Sequence, residues 1–435
     1  MDRIKKHAAI PALVAALVIV IAFGVNAYGL KDKGMIELKD LQGNREAIAD
    51  IKFGGELRDG VHRMAFDIDR GKVSANTELF RQPNNSYVYR YAFGGSKRTE
   101  DGMEYSVENY TSTYKFTSRK LKYWYTIPVG NAEVTLPVAY HDPEGRADSI
   151  TLANSPEYGL AKIGDKVYFT APLSSYFTGS SGIYELKFYD WGFGPGANPK
   201  VYDPRKVVDI PLEAKKPDGS SGMEILGLEA VNGRLALITV ENNKLYIRSY
   251  DNETGELLGE ASVQVFFLSG KPDSQLPAGA AAYSEGYEAY IDRDRPILTL
   301  SFRTVSSGEE RRNTTVFSFD FTDGVNLADT TYAFLNDGEE DTYSGIKDMI
   351  YRNGKLYVIK SWREPENEHS RTRYEVARPK HMYVYVYEHS KLIYKGELMT
   401  EMNDDNIRTY NLYSGMGGFG YDQMDYRYFA NIAIE

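Results

Sequence analysis

Residues 350–359 read IYRNGKLYVI, and residues 382–398 read MYVYVYEHSKLIYKGEL. In the first stretch two apolar runs flank Asn353-Gly354. That dipeptide suits a type I′ turn, whose positive φ angles match the right-handed twist of paired strands. In the second, valine and tyrosine fill Met382–Tyr387, the residue types that pack best on a pleated, half-buried surface. Glu388-His389-Ser390 then turns the chain into another apolar run, Leu392–Leu398. Together these stretches predict one unit: strand, tight turn, strand, loop, strand, short turn, strand.

The same pattern recurs along the chain. Ala161–Thr170 (AKIGDKVYFT) and Ala230–Thr239 (AVNGRLALIT) each place a glycine-containing turn between two apolar runs. Leu245–Tyr250 (LYIRSY) leads through Asp251–Gly255 into Glu256-Leu257-Leu258, and Ile183–Tyr189 and Thr315–Phe321 read as comparable strands. From Ile51 onward no amphipathic helical period is sustained. The 35 tyrosines and 39 glycines fit a mostly β chain. A four-stranded antiparallel unit recurring every roughly 50–65 residues resembles the blades of β-propellers, which pack radially because one blade cannot bury both its faces. The residues show no WD series, no kelch glycine pair and no Asp-box, so no family within the propellers is singled out. The resemblance implies an all-β fold, a six- or seven-bladed propeller over residues 51–435, closed by Tyr426–Ile434 pairing near the first strands. The alternative is two β-sandwich or barrel domains divided near Pro211–Gly222, a stretch rich in Pro, Lys, Gly and Ser.

Ahead of this region, Ala8–Val25 (AAIPALVAALVIVIAFGV) carries no charge, while Arg3, Lys5 and Lys6 precede it. Extended through Leu30 to the charged Lys31-Asp32-Lys33, residues 8–30 read as a transmembrane anchor. Residues 1–7 would then be cytoplasmic and the bulk of the chain extracytoplasmic, because basic flanks stay inside. The competing reading is a signal peptide cleaved after Ala27, with Val25 and Ala27 at the −3 and −1 positions. Both place the remainder outside the cytoplasm. Residues 31–50 read as a linker with one helical turn near Leu41–Ala49. Pro11, Ala12, Ala15 and Ala16 would let a partner helix approach closely, so a membrane or envelope protein is an expected partner.

The chain has no cysteine, which excludes a disulfide framework, thiolate chemistry and a lipid-modified cysteine, and fits a bacterial envelope protein. A formal net charge of −10, with acids and bases interspersed, argues against nucleic-acid binding. The six histidines, at 7, 62, 141, 369, 381 and 389, show no metal-ligand spacing. Asp67 and Asp69, and the denser group Asp337, Glu339 and Asp341, are candidate calcium ligands, since calcium takes oxygen donors from such loops. Turn chemistry explains the same residues without a metal. No cofactor motif is present: Gly415–Gly420 has spaced glycines but opens no helix after a parallel strand. Trp191, Phe193 and Phe419, in glycine-rich loops, are candidate ligand-facing aromatics. No residue is assigned to catalysis. The expected function is a membrane-anchored extracytoplasmic binding or scaffolding protein. The alternative is an enzyme acting on envelope polysaccharide or peptide, which would require a pair of acids at the centre of the ring.

Overall fold

The structure is a computed structural model. It describes residues 9–30, 36–58, 62–79, 103–110, 112–122, 125–141, 154–190, 202–213, 222–269, 281–305, 314–335, 345–362, 375–377, 380–403, 410–412 and 427–435. The described residues are all-β apart from one α-helix, Ala9–Leu30, and short 3₁₀ turns.

Six sheets of four or five strands follow one another along the chain, a β-propeller-like arrangement. The first holds Lys52–Arg58, His62–Asp69 and Lys72–Leu79, joined by Tyr428–Ile434 from the far end of the chain. The second holds Met103–Tyr110, Thr113–Lys122, Tyr125–Thr135 and Tyr189–Asp190. In the third, Leu160–Ile163, Lys166–Phe169, Phe177–Glu185 and Arg205–Leu212 pair in order, and Val138–Tyr140 adds to Phe177–Glu185. The fourth runs Met223–Val231, Arg234–Glu241, Lys244–Asp251, Leu257–Val263. The fifth runs Ala282–Ile291, Ile297–Val305, Thr314–Asp320, Asn326–Ala333, with Phe267-Leu268 alongside Ala282-Tyr283 in parallel. The sixth runs Gly345–Arg352, Lys355–Trp362, His381–Glu388, Lys391–Met399, and ends on Glu37–Gly43.

The tight turns form where glycine and asparagine predict them. Asn232-Gly233 and Asn353-Gly354 both have two consecutive positive φ angles, as a type I′ turn requires. His389-Ser390 adopts the same geometry with φ of 49° and 64° and no glycine. Here the register Glu388↔Lys391 between two long strands imposes the turn. One strand differs from expectation. Ile183–Tyr189 is not continuous: the strand ends at Glu185, just before the Leu186 N–H bonds Val167 O, 2.8 Å away, in continuation of its ladder with Lys166–Phe169. Tyr189-Asp190 then joins the second sheet.

Cores lie between successive sheets. One apolar cluster joins the second, third and fourth sheets through Phe116, Phe169, Ile183, Leu212 and Leu228. It holds residues from both sides of the expected division, Leu212 and Ile225 among them, so the described residues do not separate there into two cores. Phe266, Tyr283, Phe302 and Phe317 pack between the fourth and fifth sheets with ring centroids 4.5–6.2 Å apart. Val316, Leu335 and Val358 fill the fifth–sixth junction, and Phe53, Tyr357 and Ile434 the junction of the sixth with the first. Each such side chain, once buried, contributes about 1.5–3 kcal/mol.

The two ends of the chain are built into neighbouring sheets. Tyr428–Ile434 pairs with Lys52–Arg58, the expected partner of the last strand. Glu37–Gly43 pairs with Lys391–Met399, which corrects the linker reading of residues 31–50. Leu38 is completely buried there, and Tyr394 donates to Asp40, 2.7 Å away. The expected helical turn is a 3₁₀ turn at Arg45–Ile48, capped by the Asn44 side chain.

The helix Ala9–Leu30 has 22 residues, and its side chains are described over 10–26. Among the described residues no helix is long and apolar enough to cross a membrane.

Candidate functional site

The four strands that a radial ring of these sheets would place innermost each carry a local irregularity in pairing. Opposite Thr239 and Ile238, the fourth sheet's strand inserts Leu226 between Ile225 and Gly227. The fifth inserts Ser284–Gly286 against Arg303, and the sixth inserts Lys347. In the first sheet Asn431-Ile432 lie opposite Gly55. A β-bulge bends its strand and re-aims the side chains beside it. Two glycines make room. A Cβ at Gly55 would overlap Ile432, and one at Gly227 would overlap the Tyr287 hydroxyl.

Asn154 ties two of these bulges together. Its side-chain amide donates to Leu226 O at 3.0 Å and to Glu285 O at 2.8 Å. The 3₁₀ turn Pro156–Gly159 follows and sets Tyr158 edge-on to Tyr287, with centroids 5.1 Å apart. Tyr287 is buried and donates to Glu229 at 3.1 Å; burial and that carboxylate push its hydroxyl well above the usual tyrosine range. Tyr290 donates to Glu288 at 2.5 Å. Nearer the strand starts, Ser175 donates to Glu224 at 3.1 Å. Glu285 faces the same region. Burial, and then the negative charge of Glu224, push the Glu285 carboxyl up to about 7. A carboxyl of that strength exchanges its proton near neutral pH, which suits general acid–base chemistry or charge-dependent binding.

Two further polar centres lie in the sixth sheet. Arg352 forms a fork with Asp292, Nε and Nη2 each 2.6 Å from a carboxylate oxygen, and reaches Asp294 at 2.9 Å. His381 Nδ1 lies 2.7 Å from a Glu397 carboxylate oxygen and 3.3 Å from the Asn403 amide nitrogen, and its ring sits between Trp362 and the parallel ring of Tyr383.

Of the candidate site residues singled out from sequence, only Asp67 and Asp69 are among the described residues. Asp67 and Asp69 lie on the exposed face of His62–Asp69, and Asp67 pairs with Lys52 at 3.4 Å. Among the described residues no group of three His, Cys, Asp or Glu could hold a metal ion. Asp337, Glu339, Asp341, Trp191, Phe193 and Phe419 lie outside the described residues. Glu224, Glu285 and Asn154 were not distinguishable in sequence, where acids are frequent. The one local signal was glycine beside them, at 227 and 286.

No protein-family model and no curated protein matches the chain. Among solved structures, the periplasmic gluconolactonase of Pseudomonas aeruginosa aligns over 87% of this chain and 99% of its own, at 9% identity and TM-score 0.32. A protein from Lactobacillus plantarum aligns over 80% of this chain and 96% of its own, at 11% identity and TM-score 0.31. The Dos1 propeller aligns over 68% and 82%, at 12% identity and TM-score 0.21.

Proposed function

We propose that the chain is a membrane-anchored, extracytoplasmic binding protein built on a six-bladed propeller-like ring, taking a cationic or polyhydroxylated ligand at the face that carries Glu224 and Glu285. Six consecutive sheets, each with its own hairpins, support the blade number. The uncharged sequence of Ala9–Leu30, with Arg3, Lys5 and Lys6 before it, supports the anchor. The observation that carries the binding reading is the convergence of Glu224, Glu285 and Ser175 beside bulges that Asn154 holds in place. Carboxylates and tyrosine hydroxyls accept hydrogen bonds from ammonium and sugar hydroxyl groups.

The experiment is calorimetric titration of the full chain with a glucosamine oligomer and with the matching neutral glucose oligomer. Binding that is lost in both Glu224→Gln and Glu285→Gln supports the reading. Binding that is unchanged in both, or no binding to either oligomer, overturns it.

A second reading is favoured by one observation, the Glu285 carboxyl at about 7 beside Glu224. In this reading the pair works as proton donor and acceptor in hydrolysis of an envelope polymer. Turnover of cell-wall polysaccharide that vanishes in Glu285→Gln supports it, and equal turnover in that variant removes it.

A further inference from the structure

We infer that the face of the ring on which the innermost strands begin lies against the bilayer, so that Glu224 and Glu285 open toward the membrane surface. This rests on the anchoring reading above.

The helix is apolar on every side and no described residue covers it. Leu13, Val14 and Ile19 point in different directions around its axis, and they are 69%, 55% and 56% exposed. A helix apolar all round needs an apolar surrounding. The stretch with described side chains, residues 10–26, is by itself too short to cross a bilayer, but at 1.5 Å per residue the whole helix Ala9–Leu30 reaches about 33 Å, against about 30 Å of bilayer hydrocarbon. The occupant that fits is lipid.

The tether is short. From Leu30 to Glu37 the chain can span at most about 25 Å. Its point of attachment is fixed by Ile36, which packs with Leu57, Met64, Met402 and Phe429. Leu57 lies at the end of Lys52–Arg58, and Phe429 at the start of the innermost strand Tyr428–Ile434. The chain therefore joins the ring on the face where innermost strands start. Met223, Ala282 and Gly345, the starts of the next three, share that direction, with Glu224 and Glu285 close by. The opposite face carries the tight turns Asn232-Gly233 and Asn353-Gly354 and the end of the chain, where Lys52 and Glu435 exchange both backbone hydrogen bonds. Strands of this length separate the two faces by about 25 Å.

Single cysteines can report the two heights, because the chain has none of its own. Val265 marks the near face: it is exposed, and the next residue, Phe266, donates to Asn243 O, in the turn beside Met223. Asp323 marks the far face: it is exposed, in the turn after Asp320, which pairs with Ile297 near the end of Ala282–Ile291. Full-length Val265→Cys and Asp323→Cys, each carrying a fluorescent donor, are reconstituted in phosphatidylethanolamine–phosphatidylglycerol vesicles with headgroup-labelled acceptor. The expected result is several-fold greater energy transfer from residue 265 than from residue 323. Equal or reversed transfer in protein that floats with the vesicles overturns the orientation alone. Protein that does not float, or that assembles through its helices in lipid-free solution, overturns the anchor and the orientation with it. Gly345→Cys, with open space around its Cβ, and Lys391→Cys, in the opposite turn, are a second pair should either first variant fail to fold.

Discussion

Arg352 closes the fifth sheet onto the sixth by gripping Asp292, 60 positions earlier, with two hydrogen bonds of 2.6 Å. Both side chains are buried. Removing Arg352 leaves Asp292 as an uncompensated buried charge, and removing the Asp292 charge leaves Arg352 with the exposed Asp294 alone. Arg352→Met and Asp292→Asn should each destabilise by about 3–5 kcal/mol, and the double substitution by less than their sum. Urea unfolding of the three variants checks this, and strict additivity would contradict it.

The same pair sets an acid limit. Burial opposes the Asp292 charge, but the bonds from Arg352 and the Asp294 backbone prevail and hold the carboxyl below its ordinary value. Its contribution is present above the unfolded-state pKa, about 3.9, and is lost as pH falls through the lower folded value. Acid unfolding should begin at higher pH in Arg352→Met than in the parent chain, measured by far-UV circular dichroism.

Glu285 works in the opposite sense. Its folded pKa of about 7 lies above the unfolded value, so the folded state binds the extra proton. Stability from this group is present at acidic pH and declines as pH rises from about 4.3 toward 7. Glu285→Gln should therefore stabilise the protein at pH above 7, by about 1–2 kcal/mol after allowance for solvent screening, and little at acidic pH. Thermal unfolding across that range tests the sign.

Asn154 donates to two carbonyls that have no ladder partner at their bulges. Asn154→Ala should cost about 1–3 kcal/mol, with faster amide exchange concentrated at 225–228 and 284–287. Exchange that rises evenly over the fourth and fifth sheets would show that Asn154 does not hold the bulges.

Leu38 separates the strand from the linker reading of its segment. As a completely buried strand residue, Leu38→Ala should lose about 2–5 kcal/mol. A linker residue would lose almost nothing in the same denaturant titration.

Much of the strand content was legible because it rests on local chemistry. Asn353-Gly354 and Asn232-Gly233 choose their turn through backbone sterics, and alternating residues such as Met382–Tyr387 choose an extended chain through side-chain packing. Both act over a few residues. The pairing of Tyr428–Ile434 with Lys52–Arg58 was also readable, since a ring of blades needs its last strand. Glu37–Gly43 was not, because its sequence, ELKDLQG, has only Leu38 and Leu41 as apolar residues and carries no strand signature. Lys391–Met399 makes it a strand by offering an open edge.

By itself the sequence determined an all-β chain of repeated hairpins with an uncharged N-terminal run and no cysteine, all of which follow from residue type and short-range spacing. Only the tertiary structure decided which residues meet. Asn154, Glu224 and Glu285 are 70, 61 and 131 positions apart, and nothing local marks them. Their proximity comes from bulges at matching heights on adjacent strands, and a bulge depends on the register between two strands, which no single stretch of sequence contains.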